Sequence, residues 1–185
     1  MSSSVAKVRE PRLERVTEVG PDQLKSLVAL YEAAYRDDEL YSEKGSKRIR
    51  RYLRWLLRHA RGAFWIAWSG GKPVGFLALE ELDPVPEIHE IVVAPEWQGR
   101  GLAERLMEEA LAYLRQRGWN RVALWVGEYN FRAQRFYRRL GFRITDRVGI
   151  WLRMEKELQE KECTSSRSTA SAVSASERGS LSSGV

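Results

Sequence analysis

The segment EIHEIVVAPEWQGRGLAERLMEEAL, residues 87–111, sets an apolar run ahead of two glycines flanking an arginine, then a strongly helical stretch. Glycine at a helix start costs backbone entropy, so Gly99 and Gly101 mark a place where the main chain must be bare. A helix N-terminus points unpaired N–H groups and the positive end of its dipole at whatever lies before it. Strand, turn poor in side chains and helix together make an anion-binding device, and they commit the chain to layers of sheet and helix.

Several phosphate-binding patterns share that form. A Walker loop needs G-x-x-x-x-G-K-[ST], which does not occur. A dinucleotide-binding turn needs glycine or alanine where this chain has Glu104, whose charge would face a pyrophosphate. The pattern Q/R-x-x-G-x-G/A is met by Gln98, Gly101 and Ala103.

The surrounding chain supplies the layers. Residues 12–19 alternate as an edge strand does, and a helix is expected from Pro21, with Leu24, Leu27, Val28, Leu30 and Tyr31 on one face. An acidic loop follows, with Asp37, Asp38, Glu39 and Glu43. Residues 46–61 predict an amphipathic helix: Ile49, Leu53, Leu56, Leu57 and Ala60 face inward, and Lys47, Arg50, Arg51, Arg54, Arg58 and Arg61 make a basic outer face. AFWIAWSGGKPVGFLALEEL reads as a hairpin about Ser-Gly-Gly-Lys. Strands are expected at 87–93 and 121–126, a helix from Gly101 to Gln116, and a short helix between Asn130 and Gly141. FRITD and VGIWLRME close the fold as strands.

At 185 residues the chain is expected to form one domain, at 12–160, with a flexible stretch at 1–11. From residue 161 to 185 the composition turns to Ser, Ala and Thr, too poor in large apolar residues to offset its ordering entropy, which predicts a disordered tail. No run of about 18 apolar residues predicts a membrane span, and the opening residues lack the apolar core of a secretory signal. The single Cys163 precludes an internal disulfide framework. A cytoplasmic location is the expectation. A net charge of +6 favours anionic partners without choosing among phosphate cofactors, nucleic acid and acidic proteins.

The glycine turn does not stand alone. Asn130, Ala133, Phe136, Tyr137, Leu140, Gly141 and Phe142 complete the string N-x-x-A-x-x-F-Y-x-x-L-G-F, and Val93 and Pro95 supply V-x-P before the turn. In this order and at this separation, the chain resembles the GNAT superfamily of N-acetyltransferases. The resemblance implies an α/β (α+β) fold: a mixed, mostly antiparallel sheet of about six to seven strands, helices on both faces, and a splayed parallel strand pair. It implies acetyl-CoA as co-substrate and no metal. The pyrophosphate would lie on the amides of Gln98, Gly99, Arg100, Gly101, Leu102 and Ala103. The backbone of Ile91, Val92 and Val93 would pair with the pantetheine arm, and Asn130 would contact that arm while capping its helix. Tyr137 would be the acid for the departing thiolate. Phe136, in line with Ala133 and Leu140, reads as plain core.

The implied reaction is transfer of an acetyl group to a primary amine of a small molecule or protein. A lysine-like amine is only about one part in 2,500 unprotonated at pH 7, so a base or proton wire is required. Glu87, Glu90 and His89 are the candidates. Strand alternation puts Glu87 and His89 on one face and Glu90 on the other, unless a bulge intervenes. The acidic loop suits a cationic acceptor, whereas the basic helix that follows it argues the other way. The short hairpin at 145–149 speaks against a ribosomal-protein N-terminus as acceptor. A homodimer is compatible with the family. The alternatives are a non-catalytic acyl-CoA-binding module and, less favoured, a nucleic-acid binder using the basic helix.

Overall fold

In the computed structural model, residues 10–38 and 40–158 are described. The strands, in chain order, are β1 (Arg12–Val16), β2 (Phe64–Ser69), β3 (Lys72–Glu80), β4 (Glu87–Val93), β5 (Arg121–Gly127), β6 (Arg143–Val148) and β7 (Trp151–Glu157). They form one sheet in the order β1-β2-β3-β4-β5-β7-β6. The helices are α1 (Pro21–Ala34), α2 (Ser46–Ala60), α3 (Leu102–Gln116) and α4 (Phe131–Arg139). The expected tail at 161–185, with Cys163, lies outside the described residues, as does Glu39 of the acidic loop. Of the segment 1–11 only residues 10 and 11 are described; the carbonyl of Pro11 accepts a 3.0 Å hydrogen bond from Arg105.

Every strand pairing is antiparallel except that of β4 with β5. That parallel ladder holds only Glu87 opposite Ala123 and Ile88 opposite Leu124. Beyond Ile88 the two strands part, and the β5-facing edge of β4 has no strand to bond. The expected splay is therefore present.

Pairing register and pleat decide which helix covers which face. Trp65 meets Tyr113 of α3 edge-on at 5.5 Å. Gly75 belongs to the same face, because Ala67 lies opposite it and two residues on from Trp65. An added Cβ at Gly75 would stand 3.0 Å from the Val92 carbonyl and 3.3 Å from Leu106 Cδ1, so the missing side chain lets α3 lie close. Leu106, Met107, Ala110 and Leu114 of α3 are fully buried there. Ala78 belongs to the other face, and opposite it Glu90 receives hydroxyls from Tyr35, just past α1, and Tyr52 of α2. Helices thus cover both faces. In α2 the buried positions Ile49, Leu53, Leu56 and Ala60 follow the helical spacing read from the sequence, with Leu57 only partly covered.

One irregularity changes the site. Ala78 pairs with Glu90 and Leu79 with Ile88, so His89 is an extra residue bulged from β4. Simple alternation would send Glu87 and Glu90 to opposite faces. The bulge instead restores Glu90 to the face of Glu87, and both look toward α1 and α2.

Candidate active site

The parting of β4 from β5 opens a cleft of about 550 Å³. Its walls include Ile91, Val92 and Val93 of β4, Gln98, Gly99, Gly101, Leu102 and Ala103 of the glycine turn, and Asn130 and Tyr137 from around α4. Arg100 is the one turn residue outside that lining; its exposed guanidinium sits 5.4 Å from the Trp97 ring centroid. The turn is built by Gly99 and Gly101, with φ of 71° and 78°, a left-handed backbone that residues with a Cβ adopt only under strain. Gln98 Nε2 donates to the Val93 carbonyl at 3.2 Å, tying the turn to the end of β4.

Two helix N-termini meet this cleft, and they differ. Asn130 Oδ1 accepts from the Ala133 amide at 3.1 Å, which caps α4. The N-cap of α3 is Gly101, which has no side chain to offer, so the first-turn amides of Leu102, Ala103 and Glu104 lack a capping group. The carboxylate of Glu104 is drawn aside to Arg139, 3.5 Å away. Arg132, Arg135 and Arg139 also line the cleft and add positive charge, a contribution the family strings do not mark.

Phe136 and Tyr137 both line the cleft, and Phe136, read from helical spacing as plain core, is the less deeply buried of the two. Tyr137 is 8% exposed, whereas Phe136 is only partly covered and forms cleft wall. The two rings lie edge-on at 5.3 Å, and Phe142 packs on the far side of Tyr137 at 5.9 Å. Burial, then the charge of Glu90, push the Tyr137 phenol well above its ordinary range, which keeps its proton on the oxygen.

The three candidate bases occupy distinct settings. Glu90 receives the Tyr35 hydroxyl at 2.6 Å and the Tyr52 hydroxyl at 3.1 Å. Burial pushes its carboxyl up to about 7, against the opposing pull of those two hydrogen bonds. Glu87 receives Trp125 Nε1 at 3.2 Å and holds His89 Nδ1 at 3.3 Å. His89 Nε2 meets Glu80 at 2.6 Å. Burial disfavours the charged imidazole, but Glu87 and Glu80 outweigh it and raise the His89 pKa. Tyr35, Tyr52 and Glu80 carry no sequence motif; only the folded register brings them to β4.

A second hollow of about 400 Å³ adjoins the cleft and shares with it Ile88, His89, Trp125 and Trp151; Glu87 and Val148 complete its lining. Tyr41, from the acidic loop, closes over this end: its ring meets Trp151 edge-on at 5.2 Å, and its hydroxyl accepts from the Tyr129 amide at 3.1 Å. Asp38 lines the cleft as well, with Oδ1 held by the amides of Leu40 and Tyr41. Among the described residues, no group of three or more His, Cys, Asp or Glu is placed to hold a metal ion. Nor, among them, is any helix long and apolar enough to cross a membrane.

Comparison with known proteins bears on the same residues. The profile of the acetyltransferase (GNAT) family matches residues 17–142. An uncharacterised N-acetyltransferase of Methanocaldococcus jannaschii is 39% identical over 150 residues, which span 77% of this chain and 66% of that relative. A solved protein of Pyrococcus horikoshii superposes with a TM-score of 0.73 at 30% identity, covering 81% of this chain and 99% of its own. A PaiA N-acetyltransferase of Thermoplasma acidophilum, solved in complex with coenzyme A, superposes with a TM-score of 0.68 at 20% identity, over 80% of this chain and 99% of that one. With its glycine turn, splayed strands and F-Y helix in one cleft, and a family profile spanning most of its length, this chain belongs to the acetyltransferase (GNAT) family, a family of acyltransferases.

Proposed function

We propose that this chain transfers an acetyl group from acetyl-CoA to a primary amine, by direct attack in a ternary complex. The observation that carries the reading is the uncapped start of α3 opening into the same cleft as the unpaired edge of β4 and the hydroxyl-bearing ring of Tyr137. A diphosphate suits bare amides at a helix N-terminus, and an extended amide-bearing arm suits a strand edge with free hydrogen-bonding groups. The relative from Thermoplasma holds coenzyme A in the same fold, which supports this ligand.

When bound, acetyl-CoA supplies the acetyl group as a thioester. The amides of Gln98 to Ala103 hold the diphosphate, Arg132 and Arg135 add charge, and Ile91 to Val93 align the arm. The amine enters by the hollow lined by Glu87, Trp125 and Trp151. Glu87, partly exposed there and flanked by His89, takes the ammonium proton. The freed nitrogen attacks the carbonyl carbon; the C–N bond forms as the C–S bond breaks, Tyr137 gives its proton to the sulfur, and the proton that the acylated nitrogen then sheds restores the Tyr137 phenol. Burial, and after it the charge of Glu90 in the cleft wall, keep that proton on Tyr137 until the sulfur takes it.

The test is thiol release from acetyl-CoA with a panel of polyamines, aminoglycosides, amino acids and lysine peptides, together with acetyl-CoA-dependent thermal stabilisation. Stabilisation without turnover on any amine would favour a non-catalytic acyl-CoA-binding module, and absence of stabilisation would end the proposal.

A further inference from the structure

Four titratable side chains from three elements lie end to end beside the hollow where an amine would enter. Glu87 Oε1 is 3.3 Å from His89 Nδ1. His89 Nε2 is 2.6 Å from Glu80 Oε2. The other oxygen of Glu80 is 2.9 Å from Nδ1 of His59, in the last turn of α2. Each interior group is engaged on both sides, so the set is a string rather than a cage. That agrees with the absence of a metal-holding cluster among the described residues.

The string is largely covered along most of its length and more exposed at its α2 end. The side chains of Glu87, His89 and Glu80 are 17%, 15% and 15% exposed, whereas that of His59 is 40% exposed. Trp55 roofs it, stacking on the His59 ring at 4.3 Å and meeting the His89 ring edge-on at 5.0 Å. The remaining titratable group beside His89 is Glu90, whose carboxylate is committed to Tyr35 and Tyr52. Burial works against ionised Glu80, yet hydrogen bonds from His59 and His89 hold its carboxyl below the ordinary range.

We infer that Glu87, His89, Glu80 and His59 form a relay carrying the ammonium proton of the acceptor from the active site to solvent at the end of α2. This rests on the acetyl-transfer reading above. The proton leaves the amine for Glu87 and enters His89 at Nδ1. A proton leaves His89 from Nε2 to Glu80, and Glu80 passes one to Nδ1 of His59. His59 releases its Nε2 proton to water or buffer. Only N–H and O–H bonds form and break, and one proton goes from the ammonium to solvent for each amine freed. Glu87 meets the substrate; His89, Glu80 and His59 act through it as positioning and relay residues. Their value is that Glu87, largely covered and held by Trp125, is emptied after every turnover by a route that leaves the substrate side undisturbed.

The test uses the full chain with the best acceptor of the amine panel, comparing wild type with His59→Gln and Glu80→Gln at low and high imidazole. A relay predicts a fall in kcat of about tenfold or more at low buffer, an unchanged KM for acetyl-CoA, and recovery as imidazole replaces the lost exit. Wild-type turnover in His59→Gln, or a fall that imidazole does not reverse, overturns it. A second measurement needs no turnover: in side-chain nitrogen spectra, Glu80→Gln must move the ring signals of both His59 and His89. If either histidine ignores that change, the string is not continuous. Should wild type acetylate no amine at all, the functional reading fails and the relay's role in acetyl transfer with it, while the spectra separately decide whether the string is continuous.

Discussion

At the scale of single residues, Tyr137 and Glu90 act as a pair. Burial raises the phenol and the Glu90 carboxylate adds to it, so the phenol holds its proton, as the proposed acid role requires. Tyr137→Phe removes only the hydroxyl from a site already packed by Phe136 and Phe142, so the fold and acetyl-CoA affinity should persist. Turnover should drop by roughly 10²- to 10⁴-fold, read as kcat beside a binding isotherm. Normal kcat in the variant would remove Tyr137 from the acid role. Glu90 makes a different prediction. Its folded pKa, about 7, stands above its ordinary 4.5, so the stability linked to its protonation is fully present below about 4.5 and is lost as pH rises to about 7. Wild-type stability relative to Glu90→Gln should therefore decline across that window, by up to about 3 kcal/mol, and stay level above it. Denaturant titrations at a series of pH values check this; a difference independent of pH would show that Glu90 is not ionising in a desolvated setting.

At the scale of elements, the start of α3 is where the proposed diphosphate would sit, and Gly75 lets α3 lie close to the sheet. A valine there would press on the Val92 carbonyl and on Leu106, and nothing nearby is a freely moving side-chain tip. Gly75→Val should cost about 1–3 kcal/mol by overpacking and weaken acetyl-CoA binding as the α3 N-terminus lifts from β4. A melting curve and a binding isotherm on the same sample test both halves. The elements themselves were legible in the sequence because their signals are local: helical spacing in α2, two glycines before α3, an Asn cap before α4. The glycine turn and F-Y string were legible for the same reason. What lay beyond reach depends on strand register. Nothing near Glu80 or His59 in sequence marks them as neighbours of His89, and Tyr35 and Tyr52 belong to no motif. The facing of Glu90 turned on a one-residue bulge that alternation cannot foresee. Phe136 and Tyr137 were ordered by helical spacing alone, whereas the cleft beside α4 reverses which of the two is deeper.

At the scale of the whole molecule, a ligand that recognises the folded cleft and not the open chain must stabilise the fold by mass action. Acetyl-CoA at a hundred times its dissociation constant should add about 2.7 kcal/mol, seen as a melting temperature that climbs with ligand concentration. A melting temperature indifferent to acetyl-CoA would count against the cleft as its site. The short β4–β5 ladder gives this stabilisation a definite location. With only two residue pairs in the ladder between them, the four strands before the gap and the three after it are panels joined within the sheet by a narrow seam, over a core that both share. An extended ligand arm laid in the gap would serve as the missing rungs, so the empty protein should breathe along that line while its two panels stay rigid. On the proposed reading the donor of the reaction would also be a structural member, and a cell short of it would hold a looser protein as well as an idle one.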